Sequence, residues 1–329
     1  MNCATAIDVS IVVVSYNTRA LTLACLDSIA VETRRCRYEV HVVDNASSDG
    51  STGALRNHAF GSGLIAAARN LGFAGANNIA ARCARGEFIL LLNPDTVLID
   101  GAIDRLLTFA RANPAAGIWG GRTFFADGSL NPSSCWGRMT VWNLVCRAIG
   151  LTGVWPTSSL FNGEAYGGWQ RDSVGHVDIV SGCFLLIRRS LWEELGGFDP
   201  AFFMYGEEAD LCLRAAKIGA SPMITPTATI IHLGGASEPT RTAKMLKLLA
   251  AKSTLIRRHW HPMLQPLGLM LMAAWPLTRW VALSVLCRMW PTSARRESAA
   301  IWRSIWRQRK SWISGYRDRQ GEKPNPVLA

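Results

Sequence analysis

Residues 87–95 read EFILLLNPD, in which the unbroken apolar run 88–92 stops on Asn93-Pro94-Asp95. A run without polar alternation suits a strand covered on both faces, as in a parallel sheet. Strands that likewise end on polar residues are expected twice upstream, in VSIVVVSYN at 9–17 and YEVHVVDNASSDG at 38–50. Between these runs the spacing predicts helices. Leu21, Leu23, Leu26 and Ile29 recur at helical intervals within 18–30, and further helical segments fall near 50–57, 74–85 and 101–112. A short third strand is expected at 64–67. The resulting order, βαβαβαβα, implies a right-handed, mostly parallel sheet with helices on both faces. In such sheets the ligand crevice lies beyond the carboxyl ends of the strands. Three polar clusters, 15–17, 44–45 and 93–95, fall at those ends, which points to a single site.

Beyond residue 117 the pattern loosens through a Gly-, Ser-, Trp- and Asn-rich stretch, with a strand expected at 118–125. Apolar strands are then expected at 177–187 and 223–231, and helices at 191–195 and 210–218. The chain has 329 residues, is 49% hydrophobic and only 18% charged, so it can bury a large core. Its net charge of +11 is unevenly placed. Residues 1–240 carry 18 basic and 21 acidic side chains, whereas residues 241–329 carry 17 basic and 3 acidic ones. This shift divides the chain into a domain of residues 1–240 and a basic helical region of residues 241–329. The nine cysteines form no C-x-x-C pair and no zinc spacing, which fits a reducing compartment. No signal peptide is read at the N-terminus, so a cytoplasmic location is expected.

Each polar cluster offers chemistry. Asp44 could accept a hydrogen bond from the imide N–H of uracil or thymine, although its run also makes an ordinary strand-to-helix turn. Asp95 could hold a divalent cation, Mg2+ or Mn2+, whose other ligands are phosphate oxygens and water. Glu207 and Glu208 precede a helix and follow the apolar run Phe202, Phe203, Met204, Tyr205. A carboxylate there is a candidate general base, and acidic residues also stabilise a helix N-terminus by themselves. His232 ends a strand and is a candidate second metal ligand. The loop around Asn70 and Gly72 runs into a helix whose backbone N–H groups could face an anion.

Six motifs in this order, VSIVVVSYN, VVDNASSDGS, RNLGFAGANN, LLLNPDT, SGCFLLIRRSLWEELGGFDPAFFMYGEEADLCLRAAKIG and HLGGAS, resemble the family 2 glycosyltransferases, and within them the rhamnosyltransferase-like branch. The resemblance covers about seventy per cent of the chain, from Val9 to about Ser237. It implies a GT-A fold and a metal-dependent, inverting hexosyltransferase. It implies a nucleotide pocket lined by Ser15, Tyr16, Asn17, Asp44, Asn45, Asn70, Gly72 and Asn93. Asn93-Pro94-Asp95 occupies the place of the family's D-x-D motif, with Asp95 and His232 as metal ligands. Glu208 stands where the family's base is usually Asp, and Glu207 beside it is the alternative. Ser181, Gly182, Tyr205 and Glu207 are the expected acceptor wall.

The expected partners follow from that resemblance: a nucleotide-sugar donor, best read as dTDP-L-rhamnose, and a lipid-linked or polysaccharide acceptor of cell-envelope glycan synthesis. A UDP-sugar donor carrying GlcNAc, galactose or galactofuranose is the alternative, and a non-catalytic nucleotide-sugar-binding scaffold is another. In the basic region, Arg and Trp alternate after a long apolar stretch at 262–287 that contains Arg279 and three prolines. That composition fits a helix lying at an anionic membrane surface better than a spanning one, so a peripheral place at the inner face of the cell membrane is expected. No nucleic-acid-binding motif is visible.

Overall fold

The computed structural model describes residues 6–234 and 240–316. Gly235, Ala236 and Ser237 of the last motif, Cys3 and the polar C-terminal tail lie outside the described residues.

In chain order the elements begin with β1 (Val9–Ser15), α1 (Arg19–Glu32), β2 (Tyr38–Asp44), α2 (Ser51–Arg56), β3 (Leu64–Ala66), α3 (Gly72–Ala81), β4 (Phe88–Leu92), β5 (Thr96–Leu98) and α4 (Ala102–Ala112). There follow β6 (Ile118–Phe124), β7 (Cys135–Trp136), α5 (Val141–Ile149), α6 (Leu151–Val154), β8 (Gly175–His176), β9 (Ile179–Val180), β10 (Phe184–Arg188), α7 (Arg189–Glu194), α8 (Glu207–Lys217) and β11 (Met223–His232). The chain closes with α9 (Arg241–His259), α10 (Gln265–Met289), α11 (Ser293–Arg307) and α12 (Arg309–Ile313).

The contacts gather these elements into two compact units. The first comprises Met1–Trp136, Gln170–Phe203 and Glu207–Ser237; the second comprises Gly137–Trp169, Met204–Gly206 and Glu238–Ala329. The sequence placed a single boundary at residue 240. The second unit instead also takes in 137–169, because α5 has an apolar face that packs with the C-terminal helices.

The first unit is built on a mixed, mostly parallel sheet in the order β3-β2-β1-β4-β10-β6-β11-β5, with β8 paired to β11. Every residue of β1 is buried, as its unbroken apolar run requires. β1 lies parallel to β2 and β4, with Ser15 opposite Asp44 and Val13 opposite Leu92. The polar ends of all three strands therefore emerge on one rim. β10 runs antiparallel between β4 and β6, and β5 antiparallel to β11.

The apolar stretch 177–187, expected as one strand, is two. Phe184 donates its N–H to the Ser181 carbonyl at 3.3 Å, closing a turn through Ser181, Gly182 and Cys183. β9 leaves the main sheet at that turn and pairs with β7 instead. Hydrophobic continuity cannot reveal such a break, since both pieces are buried.

In the second unit Leu144, Leu246, Leu249, Ile256, Met272, Ile305 and Trp312 form the core. The Trp275 and Trp302 rings lie 5.6 Å apart at a tilt of 52°, and the Arg147 guanidinium lies 4.8 Å over the Trp275 ring. Glu164 is buried between two cations. Arg147 Nη2 lies 2.9 Å from it, and Lys252 Nζ contacts its other oxygen. One anion thus serves two cations. Burial alone would raise the Glu164 carboxyl, but Lys252 and Arg147 hold it below its usual value. Lys252 is instead pressed down by burial, with Arg147 adding to that and Glu164 opposing it.

Thr278 and Arg279, which break the apolar run in the sequence, do not break the helix. α10 runs on through Pro276, which cannot donate to the Met272 carbonyl. Pro276 and Met272 are both buried, so packing on that face holds the turn that the missing bond would have held.

Candidate active site

Residues at the ends of β1 and β2 are tied into a double loop. Ser15 is buried, its hydroxyl 2.9 Å from that of Thr22 at the start of α1. Asn17 adopts φ +54°, a conformation asparagine tolerates better than most residues. It receives Ser48 N–H on Oδ1 at 2.7 Å and donates its own N–H to Ser47 Oγ at 2.9 Å. Asp44 is 1% exposed; Oδ1 accepts the Ser47 N–H at 3.2 Å and Oδ2 accepts the Thr52 hydroxyl. Its carboxylate therefore shapes the loop in addition to standing at the rim. Tyr16 is 40% exposed beside it, a ring available to a flat ligand.

Asn45 joins this loop to the next. Its Oδ1 accepts the Leu71 N–H at 2.8 Å, and its Nδ2 donates to Asn70 Oδ1 at 3.0 Å. Asn70 Oδ1 also receives the Gly72 N–H at 2.8 Å. Gly72 has φ +73°, and a Cβ placed there would stand 2.3 Å from the Phe203 carbonyl oxygen. Only glycine fits both demands. Phe73 N–H then bonds the same carbonyl at 2.8 Å.

At the end of β4, Asn93, Asp95 and His232 come together. His232 pairs in register with Thr96 on β5, which brings its Nε2 to 3.3 Å from Asp95 Oδ1 and 3.4 Å from Asn93 Nδ2. Asp95 is 7% exposed. His232 Nδ1 is buried with no hydrogen-bond partner among the described residues. Burial alone would lower the His232 pKa, but Cys183 and the Asp95 carboxylate outweigh it and raise it to about 10. Among the described residues no group of three or more His, Cys, Asp or Glu could hold a metal ion. Asp95 and, on release of its proton, His232 can supply two ligands to a cation that takes the rest from phosphate and water, as Mg2+ and Mn2+ do.

The β9–β10 turn connects this cluster to α8. Asn93 donates its N–H to the Cys183 carbonyl at 3.1 Å. A Cβ on Gly182 would stand 3.3 Å from the Phe73 ring and 3.8 Å from Glu208 Cβ. Contacts therefore run from Asp95 and His232 through Asn93 and Gly182 to Glu208. Ser181 lies in the same turn, 7% exposed. Tyr205, in the second unit, has φ +69°.

Both glutamates sit in the first turn of α8, but their settings differ. Glu207 is 4% exposed, and its Oε2 is buried with no hydrogen-bond partner among the described residues. Burial, and secondarily the neighbouring Glu208 carboxylate, raise the Glu207 pKa well above its ordinary value. Glu208 is half-buried as a residue, although its Oε2 is shielded from solvent as well.

Two supports were not singled out in the sequence. Asn78 exchanges hydrogen bonds of 2.7 and 2.9 Å with the Phe198 backbone, 120 residues away. Arg214 pairs with Asp210 at 2.7 Å and donates to the Leu195 and Gly197 carbonyls at 2.8 Å each. Together they fasten the Gly196–Gly197–Phe198 bend to α3 and α8. The i,i+4 spacing of Asp210 and Arg214 is visible in sequence, but the carbonyls it meets are not.

The family model for glycosyl transferase family 2 matches residues 10–196. The chain belongs to glycosyl transferase family 2. The matched segment carries β1 through β10 and so all of the strand-end rim except His232. The transferase is 29% identical over 68% of its length to the N-acetylglucosaminyl-diphospho-decaprenol L-rhamnosyltransferase of Mycobacterium tuberculosis, covering 75% of that protein. It is 30% identical to the rhamnosyltransferase WbbL of Escherichia coli K12, over 49% of this chain and 60% of that one. The mannosyltransferase PcManGT of Pyrobaculum calidifontis, solved with GDP-mannose and Mn2+, shares the fold with a TM-score of 0.55 at 19% identity, over 94% of this chain and 86% of that one. The transferase therefore has the GT-A architecture expected from its sequence.

Proposed function

We propose that the transferase moves an L-rhamnosyl group from dTDP-L-rhamnose to a lipid-linked acceptor glycan of the cell envelope, with inversion at the anomeric carbon. The observation that carries this reading is the convergence of Asn93, Asp95, His232, the Gly182 turn and Glu208 at one end of the sheet. The choice of sugar and acceptor is supported by the rhamnosyltransferases it resembles, one of which is named for a diphospho-decaprenol acceptor.

The double loop of residues 15–17 and 44–52 holds the nucleotide, with the base against Asp44 and Tyr16. Asn45, Asn70 and Gly72 keep the adjoining loop in place, and Asn93 stands nearest the ribose. Asp95 and His232 hold Mg2+ or Mn2+, and their fit rests on a buried carboxylate beside an imidazole. When bound, the cation neutralises charge that grows on the departing diphosphate. Glu208 accepts the proton of the acceptor hydroxyl as its oxygen bonds to the anomeric carbon. The bond to the nucleoside diphosphate breaks on the opposite face, which inverts the centre. Burial leads Glu207 to keep its proton to higher pH than an ordinary carboxyl, and in that form it can donate a hydrogen bond; it is the alternative base. Ser181 and Gly182 form the acceptor wall.

The transferase also belongs, on this reading, at the cytoplasmic face of the membrane. Supporting it, 262–289 forms a helical stretch with a window of mean hydropathy 1.5, only 17% of which is buried. By length and composition alone that stretch could cross a membrane. The excess of 17 basic over 3 acidic residues in 241–329 favours an anionic surface.

The test is nucleotide release from a panel of dTDP- and UDP-sugars with Mn2+ or Mg2+ and a polyprenyl-linked acceptor. Release from dTDP-L-rhamnose, lost in Asp95→Ala and Glu208→Gln, is the expected result. Release from a UDP-sugar instead overturns the donor assignment. Binding of nucleotide without turnover on any acceptor overturns the assignment as an enzyme.

A further inference from the structure

Helices α10 and α11 enclose a groove of about 570 Å3 within the second unit. Its walls include Trp280 and Ser284 from α10 and Arg296, Arg303, Ser304 and Arg307 from α11. The three arginines fall seven and four residues apart, so they stack along one face of α11. None of them has an acidic partner among the described residues, and Arg303 lies 6.0 Å over the Trp280 ring. Like charges at four-residue spacing destabilise a helix that carries no counter-charge. A groove with three guanidinium groups and the Ser304 hydroxyl is a site for phosphate, which arginine binds bidentately.

The second observation lies on the neighbouring surface. Val281, Val285, Leu286, Met289 and Trp290 at the end of α10 are all exposed, between 39% and 59%. An aqueous anion needs no such apolar border, whereas an anionic lipid does. Its phosphate meets the arginines while its acyl chains meet the apolar residues, and Trp290 suits the interface between them.

We infer that the α10–α11 groove seats the phosphate head group of an anionic membrane lipid, with the exposed end of α10 resting among the acyl chains. This inference rests on the proposed membrane location but not on the choice of sugar or acceptor. It makes the contact a defined site rather than a diffuse attraction between a basic segment and a charged surface.

The experiment is sedimentation of the full-length protein with vesicles of phosphatidylcholine alone or mixed with phosphatidylglycerol. Three proteins are compared: the unaltered chain, the groove variant Arg296→Gln/Arg303→Gln/Arg307→Gln, and the control Arg241→Gln/Lys244→Gln/Lys310→Gln. The control removes the same charge from exposed positions of the same unit outside the groove. Each surface cation contributes roughly fivefold to partition onto an anionic bilayer, so the groove variant is expected to lose on the order of 100-fold. The control is expected to lose less than about tenfold, because its cations lie off the contact. Unchanged circular dichroism and melting establish that both variants fold.

Equal losses in the two variants overturn the groove and leave only diffuse attraction. Failure of the unaltered protein to bind anionic vesicles overturns the membrane location and the groove together. Inorganic diphosphate is titrated separately in solution. If it binds the unaltered protein but not the groove variant, while the vesicles bind neither, the groove serves a soluble anion and the lipid assignment falls.

Discussion

Replacing Glu207 and Glu208 by glutamine, one at a time, separates two carboxylates that adjoin in sequence but differ in surroundings. Glu207 is buried and its Oε2 has no hydrogen-bond partner among the described residues. Its pKa is raised by burial first and by Glu208 second. The unfolded chain ionises this group in the ordinary carboxyl range, whereas the folded chain retains the proton to higher pH. Folding thus costs more as pH rises above about 4.5, by about 1.4 kcal/mol for each pH unit until the folded pKa is reached. Glutamine removes that cost. Glu207→Gln is therefore expected to gain stability over the unaltered protein progressively from about pH 5 upward, and little below it. Denaturant midpoints at a series of pH values measure the slope. Glu208→Gln should behave differently. Loss of a general base lowers turnover by about 10²–10⁴-fold, or about 3–5 kcal/mol of barrier, with little change in donor affinity. Removing the Glu208 charge should also make the Glu207 slope saturate at lower pH. A stability difference for Glu207→Gln that is flat with pH would refute the buried, protonated assignment. Full turnover by Glu208→Gln, with loss in Glu207→Gln, would exchange the two roles.

Three further outcomes are expected. Asp95→Ala should lower turnover on the order of 10³-fold and remove its response to added Mn2+, since a metal supplies several kcal/mol of charge stabilisation; titration of Mn2+ against initial rate reads both. Gly72→Ala forces φ +73° on a residue with a side chain and drives a Cβ to 2.3 Å from a carbonyl oxygen. It should cost about 2–4 kcal/mol in chemical denaturation and weaken donor binding through the Asn45–Asn70 loop. Lys252→Met leaves Glu164 with Arg147 alone and should cost about 3–5 kcal/mol near neutral pH. The Glu164 carboxyl sits below its ordinary value, so its contribution is present above about pH 4.5 and lost as pH falls through the folded pKa. The Lys252→Met deficit should accordingly shrink under acid conditions, as pH-dependent melting will show.

The sequence by itself determined the first half of the sheet. Apolar runs such as those of β1 and β4 are buried whichever neighbours they receive, and polar residues must stop them where the sheet ends. Position at a strand end then follows directly for Ser15, Asp44 and Asn93, so most of the candidate rim was legible as a linear pattern. Elements whose burial depends on distant partners were not legible. The division of 177–187 at Gly182 rests on a turn packed against Phe73 and Glu208, contacts more than 20 residues away in the chain. The pairing of Asp95 with His232 requires β5 to lie antiparallel to β11, and hydrophobic periodicity carries no information on strand neighbours. Adjacent glutamates look equivalent on paper. Only the packing of α8 buries one of them more completely than the other, because consecutive helical residues point about 100° apart. The same limit governs 137–169. Its apolar face is visible in the sequence of α5, but which helices cover that face is decided by the tertiary structure, where shape and charge, notably Glu164 between Arg147 and Lys252, select the partner.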